Sequence, residues 1–307
     1  MAAIPVIAAG DVEDRLDWLA MTGALAEGHR RHRPALADLL LRRGEDTLLT
    51  RSAWVDGLGA ATNSVTVVPA NPGRGLPSVN GALLLFEDAT GAVEAIVDSA
   101  LVTRWKTAAD SLLGARLLAR PDARRLLILG AGSVAASLVD AYRAGFPDLA
   151  VSIWNRTPEA ARRLAAAKAA EAVEDLPAAV AEADIVATAT MATEPVLHGA
   201  WLRPGQHLDL IGAYRADMRE ADDDCLRRAR IFVDSRDTTL DHIGELKDPL
   251  TRGVISRDRV LGDLHDLVAG RVGRRAPDEI TLFKNGGGAH LDLMTGRAIL
   301  AAWRAAS

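Results

Sequence analysis

Residues 124–135, Arg-Arg-Leu-Leu-Ile-Leu-Gly-Ala-Gly-Ser-Val-Ala, join a short apolar run to a glycine turn of the form GxGxxA, the spacing that suits the pyrophosphate of a dinucleotide. Gly130 lets a buried strand turn sharply, Gly132 leaves no side chain in the path of the pyrophosphate, and Ala135 lets the next helix lie close to the sheet. Free N–H groups at the helix start then face the anion. The flanks agree: Leu126–Leu129 reads as a strand, and Ser133–Ala144 carries apolar residues at helical spacing before Gly145 and Pro147. A glycine turn that serves packing alone is the competing reading.

The next apolar run, Leu149–Trp154, indicates which dinucleotide. It ends in Asn155-Arg156-Thr157, where a fold that prefers NAD places a carboxylate on the ribose 2′-hydroxyl. No acid stands there. A guanidinium pairs with phosphate through parallel charged hydrogen bonds, so Arg156, with an amide and a hydroxyl beside it, favours NADP(H) over NAD(H). The same residues also read as a solvated loop arginine and, in Thr157 before Pro158, a helix N-cap.

With 307 residues, 49% of them hydrophobic, the chain is long enough for two domains and a large core. A net charge of -5 argues against general affinity for nucleic acid or anionic membranes. Arg-rich stretches such as His29–Arg33 read as solvated faces. One cysteine, Cys225, excludes an intrachain disulfide and, with no CxxC or His/Cys cluster, gives no metal site. A reducing cytoplasm fits this composition, and no targeting segment or membrane span is expected.

The elements that must position the turn fall into two styles. Residues 11–29 predict an amphipathic helix with Val12, Leu16, Leu19, Ala20 and Leu25 on one side. Leu39–Leu41 and Thr47–Thr50 flank a hairpin turn at 42–46, and Ser64–Val68, Gly81–Phe86 and Val93–Val97 continue the β pattern. Thr107–Leu118 then reads as a helix. Beyond it strand and helix alternate: strands at 126–129, 150–154, 172–173, 185–189, 207–211 and 231–233, helices at 133–144, 158–170 and 176–182. Such alternation predicts an α/β fold with a parallel sheet covered by helices. A last helix, 291–305, is expected to return to the first domain.

With these segments in order, the chain resembles the ornithine cyclodeaminase and mu-crystallin family over nearly its whole length. The match is carried by Pro69-Ala70-Asn71-Pro72-Gly73-Arg74-Gly75-Leu76-Pro77, by Lys106-Thr107-Ala108-Ala109-Asp110-Ser111, by the Gly130–Ala135 turn with Trp154-Asn155-Arg156-Thr157, and by Phe283-Lys284-Asn285-Gly286-Gly287-Gly288. Asp217-Met218-Arg219-Glu220 adds a weaker stretch. The resemblance implies a Rossmann-type dinucleotide domain at 119–285. It also implies an α+β substrate and dimerisation domain at 1–118, completed by 286–307, in a cytoplasmic homodimer. The expected activities are those of ketimine reductases, amino-acid dehydrogenases and cyclodeaminases.

Departures from the family pattern narrow this range. Cyclodeaminases carry an aspartate where this chain has Tyr214, so cyclodeamination is not expected. The family's lysine before the Pro-x-Asn loop is Asn63 here, and the arginine of its RTAA motif is Lys106. Asn63 is no proton donor of comparable strength, so the imine must arrive protonated or take its proton elsewhere. Lys106 would hold the substrate carboxylate as a point charge rather than a fork. Asn63, Asn71, Gly287 and His290 would line the substrate, with Asp292 the candidate carboxylate. Gly130, Gly132, Ser133, Val134, Asn155, Arg156, Thr157, Thr107 and Thr190 would contact NADPH, or NADH in its place. Each has a plainer role open to it: Lys106 a surface lysine, Thr107 a helix cap, Asn71 the brace of its own loop, Asp292 a capping acid, Asn63 a strand residue, His290 a packed histidine. The expectation is NADPH-dependent reduction of an imine beside a carboxylate, such as pyrroline-2-carboxylate or a linear imino acid. An amino-acid dehydrogenase and a low-turnover NADPH or small-ligand binder are the alternatives.

Overall fold

The computed structural model describes residues 3–305, which form two compact units: 3–106 with 288–305, and 107–287. The first holds β1 (Val6–Ile7), helices α1 (Ala9–Val12) and α2 (Trp18–His29), and strands β2 (Ala35–Arg43), β3 (Asp46–Val55), β4 (Gly59–Val67), β5 (Val79–Phe86) and β6 (Val93–Asp98). Helix α11 (Ala289–Arg304) completes it. The strands make one sheet in the order β1-β6-β5-β4-β3-β2, antiparallel except where β1 joins β6. Inward residues such as Ala53, Val55, Ala61, Leu83 and Leu85 alternate along the central strands and are buried. Helix α11 packs against β3, β4 and β5.

Two helices differ from the sequence reading. The expected helix over 11–29 is broken: a 3₁₀ turn at Glu13–Arg15 separates α1 from α2, and Asp17 caps α2 by accepting from the Ala20 N–H at 2.8 Å. An aspartate that satisfies an orphan N–H starts a helix rather than continuing one. Leu19, assigned to the apolar side, is 41% exposed. Helix α3 (Ser99–Leu118) begins eight residues earlier than Thr107, because Asp98 accepts from the Ala100 N–H and Leu101, Val102 and Trp105 extend the buried face.

The second unit contains β7 (Arg125–Leu129), α4 (Ser133–Gly145), β8 (Ala150–Trp154), α5 (Pro158–Ala167), β9 (Glu171–Ala172), α6 (Leu176–Glu182), β10 (Ile185–Thr188) and β11 (His207–Leu210). It continues with α7 (Asp223–Arg228), β12 (Arg230–Val233), α8 (Arg236–Thr239), α9 (Gly244–Thr251), β13 (Val260–Gly262), α10 (Leu264–Val268) and β14 (Thr281–Lys284). All eight strands run parallel in the order β13-β12-β14-β11-β10-β7-β8-β9. From β7 the chain first builds β8 and β9 on one side, then crosses to build β10 and β11 on the other. The sheet therefore has its switch point between β7 and β10, beyond whose carboxyl ends ligands of such sheets lie.

Leu127, Leu129, Val186, Leu208, Leu210, Ile231 and Val233 form the core on one face of this sheet. Cys225 belongs to the same cluster, fully buried with its Sγ 3.6 Å from the Leu197 carbonyl, and burial and then Asp222 push its thiol well above the usual range. Among the described residues no helix is long and apolar enough to cross a membrane.

Candidate active site

The glycine turn is shaped by two different needs. Gly130 has φ +117° and donates its N–H to the Trp154 carbonyl at 2.8 Å; a Cβ there would lie 2.4 Å from the Ala189 oxygen. No L side chain fits that position. Gly132 is exposed, and a Cβ added to it would meet nothing within 4 Å. It begins α4 without any side chain capping the helix, so the first N–H groups of a 13-residue helix stand open beside empty space. Ser133 is exposed there, Val134 half-buried, and Ala135 fully buried against the sheet. Open space and uncapped donors fit a pyrophosphate.

At the end of β8, Asn155 donates from its side chain to the Thr157 carbonyl at 3.0 Å. Thr157 is the N-cap residue of α5, but its side chain makes no capping bond. Arg156 is exposed and forms no hydrogen bond or ion pair among the described residues. Thr190, just past β10, gives both its N–H and its hydroxyl to Glu220 Oε1, each at 2.7 Å. Thr107 lies inside α3, so it is not a helix cap, and its carbonyl accepts from Asn285 at 3.0 Å. Gly287, at φ +71°, and Gly286 donate their N–H groups to Asp234 at 2.5 and 2.8 Å.

In the first unit, α3, β4 and the first turn of α11 bring three side chains together. Lys106 Nζ stands 2.8 Å from Asp292 Oδ1, and Asn63 Nδ2 donates to Asp292 Oδ2 at 3.1 Å. Relative exposures are 9% for Lys106, 6% for Asn63 and 1% for Asp292. Lys106 is thus not a surface lysine. Asp292 sits past Gly288, the N-cap of α11, and its carboxylate is taken up by Lys106 and Asn63 rather than by helix N–H groups. Such a buried pair holds its charges in place because losing either partner strands the other. His290 is buried edge-on to the His29 ring, centroids 5.4 Å apart. Asn71 stands apart from the trio: in a 3₁₀ turn, it donates to the Pro77 carbonyl at 3.0 Å and so braces its own loop.

The second unit also encloses a charge network. Lys284 is fully buried, donates to the Leu210 carbonyl at 2.9 Å, and has its ammonium pulled down by burial against the opposing fields of Glu220, Glu245, Asp234 and Asp209. Burial, aided by the charge of Glu220, lifts Glu245 to about 7. Burial lifts Asp209 to about 7 although the Tyr142 hydroxyl donates to it at 2.7 Å, and lifts Asp234 to about 6.

A family model for ornithine cyclodeaminase and mu-crystallin matches residues 52–307. The chain belongs to that family. A delta(1)-pyrroline-2-carboxylate reductase of Paracoccus denitrificans is 55% identical over 292 residues, 93% of this chain and 92% of that protein. Among solved structures, Thermococcus litoralis delta(1)-pyrroline-2-carboxylate reductase in complex with NADH and L-proline superposes with a TM-score of 0.90 at 26% identity, covering 97% of each chain. An archaeal alanine dehydrogenase dimer with bound NAD gives 0.91 at 25% identity, over 99% of this chain and 97% of that one.

Sequence reasoning passed over the buried network. Two signals were present: Asp209 interrupts an apolar strand, and Lys284 ends one. A charge inside a run that reads as buried needs partners, and here they are Tyr142 for the first and a backbone carbonyl ringed by acids for the second.

Proposed function

We propose that this protein reduces pyrroline-2-carboxylate to proline with NADPH as the preferred electron donor. It is an oxidoreductase acting on C–N bonds and uses a nicotinamide nucleotide. The observation that carries the finer reading is the buried Lys106–Asp292–Asn63 group, in a chain 55% identical to a pyrroline-2-carboxylate reductase over nine-tenths of its length. Gly130, Gly132 and the start of α4 would hold the pyrophosphate, Asn155, Arg156 and Thr157 the adenosine end. When bound, the reduced nucleotide supplies a hydride to the imine carbon.

The remaining work belongs to the protein. Lys106 takes the substrate carboxylate as a single positive charge, and Asp292 fixes where that charge stands. Asn63 adds a neutral amide and no acidic proton, so the ring nitrogen enters already protonated and the product leaves as the amine. Arg156, exposed and with no partner among the described residues, is free to pair with a 2′-phosphate, which supports NADPH over NADH. We also read the protein as a cytoplasmic homodimer. Leu39, Leu41 and Trp54, 53–55% exposed on the same face of β2 and β3, offer an apolar surface suited to a second copy, and the archaeal alanine dehydrogenase is a dimer.

The test is NADPH consumption, followed by absorbance, with pyrroline-2-carboxylate, iminosuccinate, and pyruvate plus ammonia, together with nucleotide binding in the same sample. Rapid turnover of the cyclic imine without ammonia is expected. Turnover that needs ammonia would point to an amino-acid dehydrogenase. Tight NADPH binding with no consumption on any of these would favour a binding protein, as the neutral Asn63 allows.

A further inference from the structure

We infer that Glu220 is the positioning residue for the nicotinamide half of the nucleotide, acting through Thr190 and the backbone at Gly212 and Ala213. The inference rests on the nucleotide reading given above and adds a residue that never touches the ligand.

The strand order supplies the direction. The glycine turn follows β7, and the arginine suited to the 2′-phosphate ends β8, on one side of it. A dinucleotide whose pyrophosphate lies on that turn must send its other half the opposite way, over the carboxyl ends of β10 and β11. The chain that emerges there is Thr190 from β10 and residues 211–213 from β11.

Glu220 ties these two ends together. Its carboxylate is fully buried and accepts five hydrogen bonds: from the Thr188 hydroxyl at 2.8 Å, the Thr190 N–H and hydroxyl at 2.7 Å each, the Gly212 N–H at 2.6 Å and the Ala213 N–H at 3.2 Å. The two ends approach so closely that a Cβ on Gly212 would lie 2.1 Å from the Thr190 oxygen and 2.5 Å from Glu220 itself. Glu220 is in turn fixed by Glu245, which accepts the Glu220 and Ala221 N–H groups at 2.7 and 3.0 Å. None of its partners lies in the Gly130–Ala135 turn or at Asn155–Thr157. A carboxylate that collects five donors is a rigid node, and its loss frees the segment under the nicotinamide while leaving the adenosine end in place.

The experiment compares two ligands by calorimetry: NADPH, and adenosine 2′,5′-bisphosphate, which lacks the nicotinamide half. In Glu220→Gln, the NADPH Kd is expected to rise about tenfold or more while the bisphosphate Kd moves by less than about twofold. Equal weakening of both, or of neither, overturns the inference, since a general structural role predicts the first and no role the second. Thermal melting checks that the variant folds. If it does not, Thr190→Val, which removes one of the five bonds and keeps the backbone, is read by the same comparison with a smaller selective loss. Wild-type protein that binds neither ligand overturns the nucleotide reading itself, an outcome distinct from the variant results.

Discussion

The glycine turn and the Lys106 group differ in what they are made of. The turn is backbone: twelve consecutive residues, two of them glycines, expose N–H groups whose direction is fixed by the strand before and the helix after. The Lys106 group is side chains only, gathered from positions as far apart as Asn63 and Asp292, 229 residues along the chain. A site of the first kind tolerates change in almost every side chain except the two that must be absent. A site of the second kind fails when any one member is altered, because its charges are buried and depend on each other.

That contrast can be broken most forcefully at Lys106. Lys106→Met strands the Asp292 carboxylate and should cost about 3–5 kcal/mol in urea unfolding, abolish turnover, and leave NADPH affinity unchanged. Adding Asp292→Asn should recover much of the stability and none of the activity. If nucleotide affinity collapses instead, the residue has been given the wrong task.

Next come the two glycines. Gly130→Ala should destabilise by roughly 2–3 kcal/mol, since it adds a clash with the Ala189 oxygen to an unfavourable φ. Gly132→Ala, with nothing for its methyl to strike, should melt like the parent yet bind NADPH at least about tenfold more weakly. Equal melting temperatures for both variants would dissolve the distinction between a glycine needed by the fold and one needed by the ligand. Arg156→Ala sharpens it further: the KM for NADPH should rise about tenfold, roughly 1.4 kcal/mol, with that for NADH unmoved.

The last effect concerns the buried acids and is spread over a range of pH. Glu245 is raised from 4.5 to about 7 in the fold, so between those values the folded state keeps a proton that the unfolded chain has released. Its contribution to stability therefore falls as pH rises through that window. Glu245→Gln should remove this slope, a change of about 1.4 kcal/mol per pH unit, measured by urea unfolding at a series of pH values. Parallel pH profiles for the two proteins would rule out the protonated form.

How far the sequence carried the reading follows the same division. The β7–turn–α4 unit was legible because its period, glycines and flanks all lie within about twenty residues, and the alternation after it indicated a parallel sheet. Strand β14 was not: four residues long, it takes its place between β11 and β12 from pairings with residues some fifty to seventy positions away. The break at Asp17 was hidden because the apolar spacing runs on through it. Lys106, Asn63 and Asp292 each stood out by type, yet nothing local says that a lysine and an amide share one carboxylate. Glu220 was harder still, sitting in a loop stretch where an acid is ordinary until its five donors are seen.

Cys225, sealed in the apolar core beside β12, is a silent thiol while the fold is closed. A maleimide dye should therefore label only molecules in which that stretch has opened, making the labelling rate a clock for local unfolding that needs no engineered probe. Saturating nucleotide should slow that clock in proportion to how tightly it grips the closed form.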